Sequence, residues 1–198
     1  TTDKKTVINM TNHSYFNLDG DAGSNADHLL TIDADAYTPV DSTFMTSGEI
    51  VTVEGTPMDF RTPTPVGKRI NDFDFVQLKN GNGYDHNWVI DHHDSQNLAE
   101  CVEVYGDKTG IAMKISSDYP GIQMYTGNYI GNVKGKHGHI YAPRDGVCFE
   151  PQYFPDAVNR PEFESSVCKA GQKFDKKIKY VFFNEKYCYC LLYTSPSP

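Results

Sequence analysis

An all-β fold, a sandwich or barrel of short strands, is what this chain of 198 residues predicts, on three observations. Runs with period-two alternation recur along it, Gly, Pro and Asn-rich breakers interrupt nearly every stretch, and helical periodicity is almost absent. Such punctuation marks many strands joined by turns. The length suits one domain, or a piece of a larger all-β one, and is enough to bury a real core. With 38% hydrophobic and 22% charged residues, the chain falls in the globular class rather than the disordered one.

The first expected strand covers residues 6–12. The next, 28–37, puts Leu30, Ile32, Ala34 and Ala36 on one face with Asp33 and Asp35 on the other. Residues 49–54 alternate as well. The Pro-rich stretch 62–65 belongs between strands, because Pro cannot donate to a ladder. A strand at 87–91 follows. Residues 98–105 and 111–117 flank Gly106-Asp-Lys-Thr-Gly110, which reads as a hairpin closed by a glycine-bearing loop. Strands at 122–126, 146–150 and 178–183 complete the set, and no repeat or linker divides the chain. The end, EKYCYCLLYTSPSP (185–198), has two close Cys, no alternation and a Ser/Pro finish. It reads as read-through sequence as much as native, and is set apart from the domain at 1–184.

Charge narrows the partners. With 18 Lys and Arg against 26 Asp and Glu, the net charge is −8 and no basic stripe offsets it. That excludes a phosphate backbone as partner and disfavours phosphorylated substrates, leaving neutral ones. The five Cys have no zinc-like spacing and read as reduced thiols of a cytoplasmic protein. No signal peptide or membrane span is visible, and the chain opens without an initiator Met. The sequons at Asn9 and Asn12 matter only if it is secreted. Aromatic residues are abundant, at 13%. They suit the C–H faces of sugar rings, and they suit sheet packing equally.

Three islands concentrate polar and ionisable residues beside strands. In 11–18, His13 stands among amide and hydroxyl side chains that can set its tautomer, or simply satisfy it. In 83–88, Asp85 and Asn87 beside Trp88 can hydrogen-bond sugar hydroxyls while the indole covers an apolar sugar face; the alternative is a turn leading into a strand whose Trp is core. In 149–159, Glu150 ends the apolar run 147–149. Partial burial there raises a carboxyl pKa towards the range of a general base, whereas a solvated strand end leaves it ordinary.

Together the islands carry a resemblance. TNHSYFNL (11–18), ADAYTPVD (34–41), GEIVTVEGTPMDFR (48–61), GYDHNW (83–88), PGIQMYTGN (120–128) and FEPQYFPDAVN (149–159) occur in order. The chain resembles the aldose 1-epimerase (mutarotase) family over residues 6–183. The resemblance implies a large twisted β-sandwich that interconverts α and β anomers of free aldohexoses without a cofactor or metal. It implies His13 as general acid, Glu150 as general base and Asp85 as a ligand for sugar hydroxyls, with Gln123 and Tyr125 lining the pocket. Family members are roughly twice this length, and their first half supplies a further His and an Arg to the sugar site. The chain is accordingly expected to be the C-terminal portion of the sandwich, with unpaired edges. Pro151 departs from the small polar residue that relatives often carry beside the base, and could shift the Glu150 backbone.

Other classes leave their own signatures. A sugar-binding homologue binds without exchanging anomers. A glycosidase would pair Glu150 with Asp85 or Asp156. A metal site could be built from His86, His92, His93, His137 and His139, which otherwise read as solvated loop histidines.

Overall fold

Two five-stranded antiparallel sheets carry the fold in the computed structural model, which describes residues 1–20 and 24–184. In chain order the strands are β1 (Thr6–Val7), β2 (Leu29–Ile32), β3 (Ala36–Thr38), β4 (Val51–Thr52), β5 (Thr64–Pro65), β6 (Asp85–Val89) and β7 (Ala99–Tyr105). They continue as β8 (Ile111–Ser117), β9 (Gly121–Tyr125), β10 (Val133–Lys134), β11 (Ile140–Tyr141), β12 (Cys148–Gln152), β13 (Val167–Cys168) and β14 (Ile178–Asn184). One sheet runs β12-β9-β6-β3-β4 and the other β14-β8-β7-β2-β5, while β1-β13 and β10-β11 form small ribbons. This is a twisted β-sandwich. No helix among the described residues is long and apolar enough to cross a membrane.

Alternation decides which faces meet. The first sheet turns Tyr37, Trp88, Ile122, Met124 and Phe149 inward, and the second turns Leu30, Ile32, Val102, Val104, Met113 and Ile115 against them. Fully burying one such side chain stabilises by about 1.5–3 kcal/mol relative to exposure. Trp88 belongs to this core: it is wholly buried and its Nε1–H donates to the Met58 carbonyl at 3.0 Å. The indole therefore covers no sugar face.

The run at 28–37 is two strands rather than one. β2 pairs with β7 in one sheet and β3 with β6 in the other, so Asp33 to Asp35 form the corner between layers. The Ala34 N–H donates to the Ile32 carbonyl at 3.0 Å, which tightens that corner. Leu30, Ile32 and Ala34 face the core as expected, but the phase changes at the corner: Tyr37 turns inward with Trp88, and Ala36 pairs with Val89 on the outer face. The 62–65 stretch also differs from its expectation: Thr64–Pro65 pairs with β2 as an edge strand, where a residue without N–H is tolerated. The 99–105/111–117 hairpin forms as predicted, with a bulge between Glu100 and Val102.

One short helix, α1 (Val76–Gly81), aims the chain into β6. It stops at Asn82, left-handed at φ 52°, and the Gly83 N–H closes on the Leu78 carbonyl at 3.0 Å. Gly83 sits at φ 128°, and a Cβ there would fall 2.5 Å from Asn128 Oδ1. Asn128 in turn donates to the carbonyls of Gly81 and Tyr84. The turn before Asp85 is thus fixed from both sides. Residues 185–198 lie outside the described residues.

Candidate active site

The outer face of β12, β9 and β6 is polar. Register pairs Cys148 with Tyr125 and Tyr125 with Asp85; two residues along, Glu150 meets Gln123 and Gln123 meets Asn87. Period two then turns all six side chains away from the core. Pro151 falls on the opposite face, and the β12–β9 register runs unbroken from Cys148 to Gln152.

His13 comes from a loop. A bridge between Phe16 and Val147, with N–H···O distances of 2.8 and 2.9 Å, pins that loop beside the start of β12. His13 Nε2 consequently lies 3.4 Å from Glu150 Oε1, and Nδ1 lies 3.4 Å from Cys148 Sγ. The His13 side chain is 51% exposed and that of Glu150 only 11%, so one partner reaches solvent and the other is held in the sheet. The Tyr15 and Tyr125 rings flank the imidazole, with centroids 5.2 and 6.2 Å away. The Tyr125 hydroxyl accepts the Tyr129 N–H at 2.9 Å.

Burial pushes the Glu150 carboxyl above its ordinary range; His13 partly offsets this, and the nearby Asp85 charge adds to it. Asp85 is also raised by burial, against a hydrogen bond donated by Gln123 Nε2 to Oδ1 at 2.8 Å. Gln152 Nε2 donates onward to Gln123 Oε1 at 3.3 Å. Asn87 is buried with its Oδ1 unpartnered among the described residues, and its Nδ2 reaches only the Thr38 hydroxyl at 3.4 Å. Thr38, Asp85, Asn87 and Gln123 line an open cleft of about 320 Å³ together with Phe44 and Tyr129. That volume suits one small molecule held by several polar groups.

The structure brings together all five residues singled out from the sequence: His13, Glu150, Asp85, Gln123 and Tyr125. Cys148 and Gln152 share the site and could have been found as the i±2 neighbours of Glu150 on a strand; Tyr15 follows His13 by two residues. Thr38 lies in the motif at 34–41 but was not singled out, because its place beside Asn87 is set by sheet pairing. The histidine set offered for a metal does not assemble. His86 is not a solvated loop residue: it lies buried in β6 on the core side, its Nδ1 accepts the Asp85 N–H at 3.1 Å, and burial lowers it to about 4. His93 pairs with Glu164 at 2.8 Å and His139 lies 3.6 Å from Asp145. Asp156 is held by Arg160 and Asn159, which bind its carboxylate and lower it.

The family model described as aldose 1-epimerase matches residues 1–181. Galactose mutarotase of Homo sapiens is 40% identical over 179 residues, covering 89% of this chain and 50% of that protein. The aldose 1-epimerase of Escherichia coli K12 is 32% identical over 189 residues, covering 93% and 53%. Among solved structures, the aldose epimerase homologue from C. elegans superposes with a TM-score of 0.76 at 29% identity, covering 92% of this chain and 53% of that one. Galactose 1-epimerase from Lactobacillus acidophilus NCFM gives 0.77 at 26%, covering 92% and 50%. The chain spans about half the length of the curated relatives it matches. With the family model matched across nearly all of it, the chain belongs to the aldose 1-epimerase family.

Proposed function

We propose that this chain supplies the acid–base pair of an aldose 1-epimerase acting on free aldohexoses such as glucose and galactose. The observation that carries the proposal is the 3.4 Å approach of His13 Nε2 to Glu150 Oε1 on a polar sheet face. The C1 hydroxyl and the ring oxygen of a pyranose share one carbon, so their acid and base must stand side by side. Glu150, raised by burial, takes the hydroxyl proton, and His13 gives one to the ring oxygen as the C1–O5 bond breaks. The open-chain aldehyde turns about C1–C2. Ring closure then returns both protons with the roles reversed, and no other reactant is consumed.

Asp85, Gln123 and Asn87 hold hydroxyls, with the bare Asn87 Oδ1 as an acceptor in the cleft. Tyr125 and Tyr15 wall the imidazole. A net charge of −8 goes with a neutral sugar and no nucleic acid as partner. Free thiols at Cys101, Cys148 and Cys168 go with a reducing, cytoplasmic setting. Residues 1–184 act as part of one sandwich domain, completed by strands outside this chain.

Polarimetry of freshly dissolved α-glucose and α-galactose tests the reading. This chain, a form extended to the relatives' length, and Glu150→Gln in that extended form are compared. Acceleration by the extended form that drops about 10²–10⁴-fold in the variant is expected. A well-folded extended form that binds sugar without accelerating exchange overturns it and marks a sugar-binding homologue.

A further inference from the structure

We infer that His13, Cys148 and Glu150 form a site for a thiophilic divalent cation of the zinc class, which silences the acid–base pair when occupied. One ligand atom from each of the three lies within 4.8 Å of the others, and this is the group among the described residues able to share an ion. Bonds of roughly 2.0–2.3 Å in a tetrahedral shell need ligand atoms somewhat under 4 Å apart. His13 Nε2 lies 3.4 Å from Glu150 Oε1 and Nδ1 lies 3.4 Å from Cys148 Sγ, so whichever single nitrogen ligates already has one partner at ligating distance. The remaining closure falls to a rotation of the half-exposed His13 ring, while Cys148 and Glu150 are fixed two residues apart on β12.

The donor set of imidazole, thiolate and carboxylate selects the ion. A sulfur ligand disfavours magnesium and calcium, and three protein donors leave a fourth position for water. The proton transfer proposed above has no use for Cys148. Its thiol is pushed well above the ordinary range by burial, then by the Glu150 and Asp85 charges, so it stays protonated without a metal. An ion would displace that proton to solvent and form the Zn–S bond in its place. The Asp85 carboxylate and the Tyr15 and Tyr125 hydroxyls face the same space, and Asp85 adds a negative charge that favours a cation. Coordination would occupy the Glu150 oxygen and an imidazole nitrogen needed for proton transfer. Inhibition therefore rests on the mutarotase reading, whereas metal binding does not.

Cobalt(II) is the probe, titrated without sugar into the full chain carrying Cys188→Ser and Cys190→Ser, so that tail thiols contribute nothing. A near-ultraviolet thiolate-to-cobalt absorption with the visible bands of a four-coordinate ion is expected. Zinc should displace it, further substitution Cys148→Ser should abolish it, and His13→Ala should weaken binding at least about tenfold. No thiolate band, or a band that survives Cys148→Ser, overturns the site. Should Cys148→Ser fail to melt cooperatively, His13→Ala decides, because that exposed loop residue packs into no core; unchanged affinity there also overturns the site. Binding without any mutarotation, or mutarotation without binding, tells the failure of one proposal from that of the other.

Discussion

At Glu150 a carboxylate is held in a sheet face where water reaches it poorly, and the fold tolerates a group that burial makes reluctant to ionise. Its folded pKa stands above the unfolded value, so the protonated form is the one folding favours. That contribution is fully present below the unfolded pKa and lost as pH rises through the folded one. Glu150→Gln is therefore expected to raise Tm at neutral pH, with a gain that vanishes as pH falls into the ordinary carboxylate range; calorimetry at several pH values measures it. The same shift moves the acid limb of activity upward. The rate in the extended enzyme should fall off at a pH above that of a solvated Glu, as a pH profile of kcat/KM will show. Glu150 and His13 were singled out through the motifs FEPQYFPDAVN and TNHSYFNL, since each alone also reads as an ordinary polar residue beside a strand. Their contact was not legible in the sequence, because it spans 137 positions and depends on the Phe16–Val147 bridge.

β6 is the element that serves both faces. It presents Asp85 and Asn87 to the cleft, and buries His86 and Trp88 on the core side. His86 has a folded pKa of about 4 against 6.5 unfolded, so its contribution is intact above pH 6.5 and lost as pH falls towards 4. The parent should lose about 3 kcal/mol over that window from this group. A His86→Gln variant should show a flatter decline in acid unfolding curves. On the neighbouring strand, a Cβ at Gly121 would fall 2.4 Å from Asn87 Oδ1 and 2.8 Å from the Phe154 ring. Gly121→Ala is expected to cost about 1–3 kcal/mol, seen as a lowered Tm, and to raise KM by displacing Asn87. Element limits were half legible. The β7–β8 hairpin alternates cleanly, whereas β6 was expected only from residue 87, because Asp85, His86 and Asn87 are three polar residues in a row that hide the alternation although His86 faces the core.

At the scale of the molecule, β12 and β14 are the outermost strands of their sheets among the described residues, and Glu150 lies on one of them. Phe182 on β14 is 55% exposed although it continues the inward-facing row of Ile178 and Tyr180. An edge that carries Glu150, beside an uncovered aromatic, is expected to be covered in a chain of the relatives' length. The extended form should melt at a higher temperature and more sharply than the 198-residue chain, and should turn over faster. A cooperative melt with full turnover by the short chain would refute this.

The sequence by itself determined the all-β class and, through the motifs it shares with a family, singled out the residues proposed to carry the chemistry. These follow from alternation, composition and local motifs, each written within a few positions of chain. Only the tertiary structure decided that the run at 28–37 turns a corner between sheets, that Trp88 is core, that Thr64–Pro65 joins an edge, and that Cys148 touches His13. Those outcomes depend on which strands become neighbours, and pairing across long separations leaves no periodic trace in either strand.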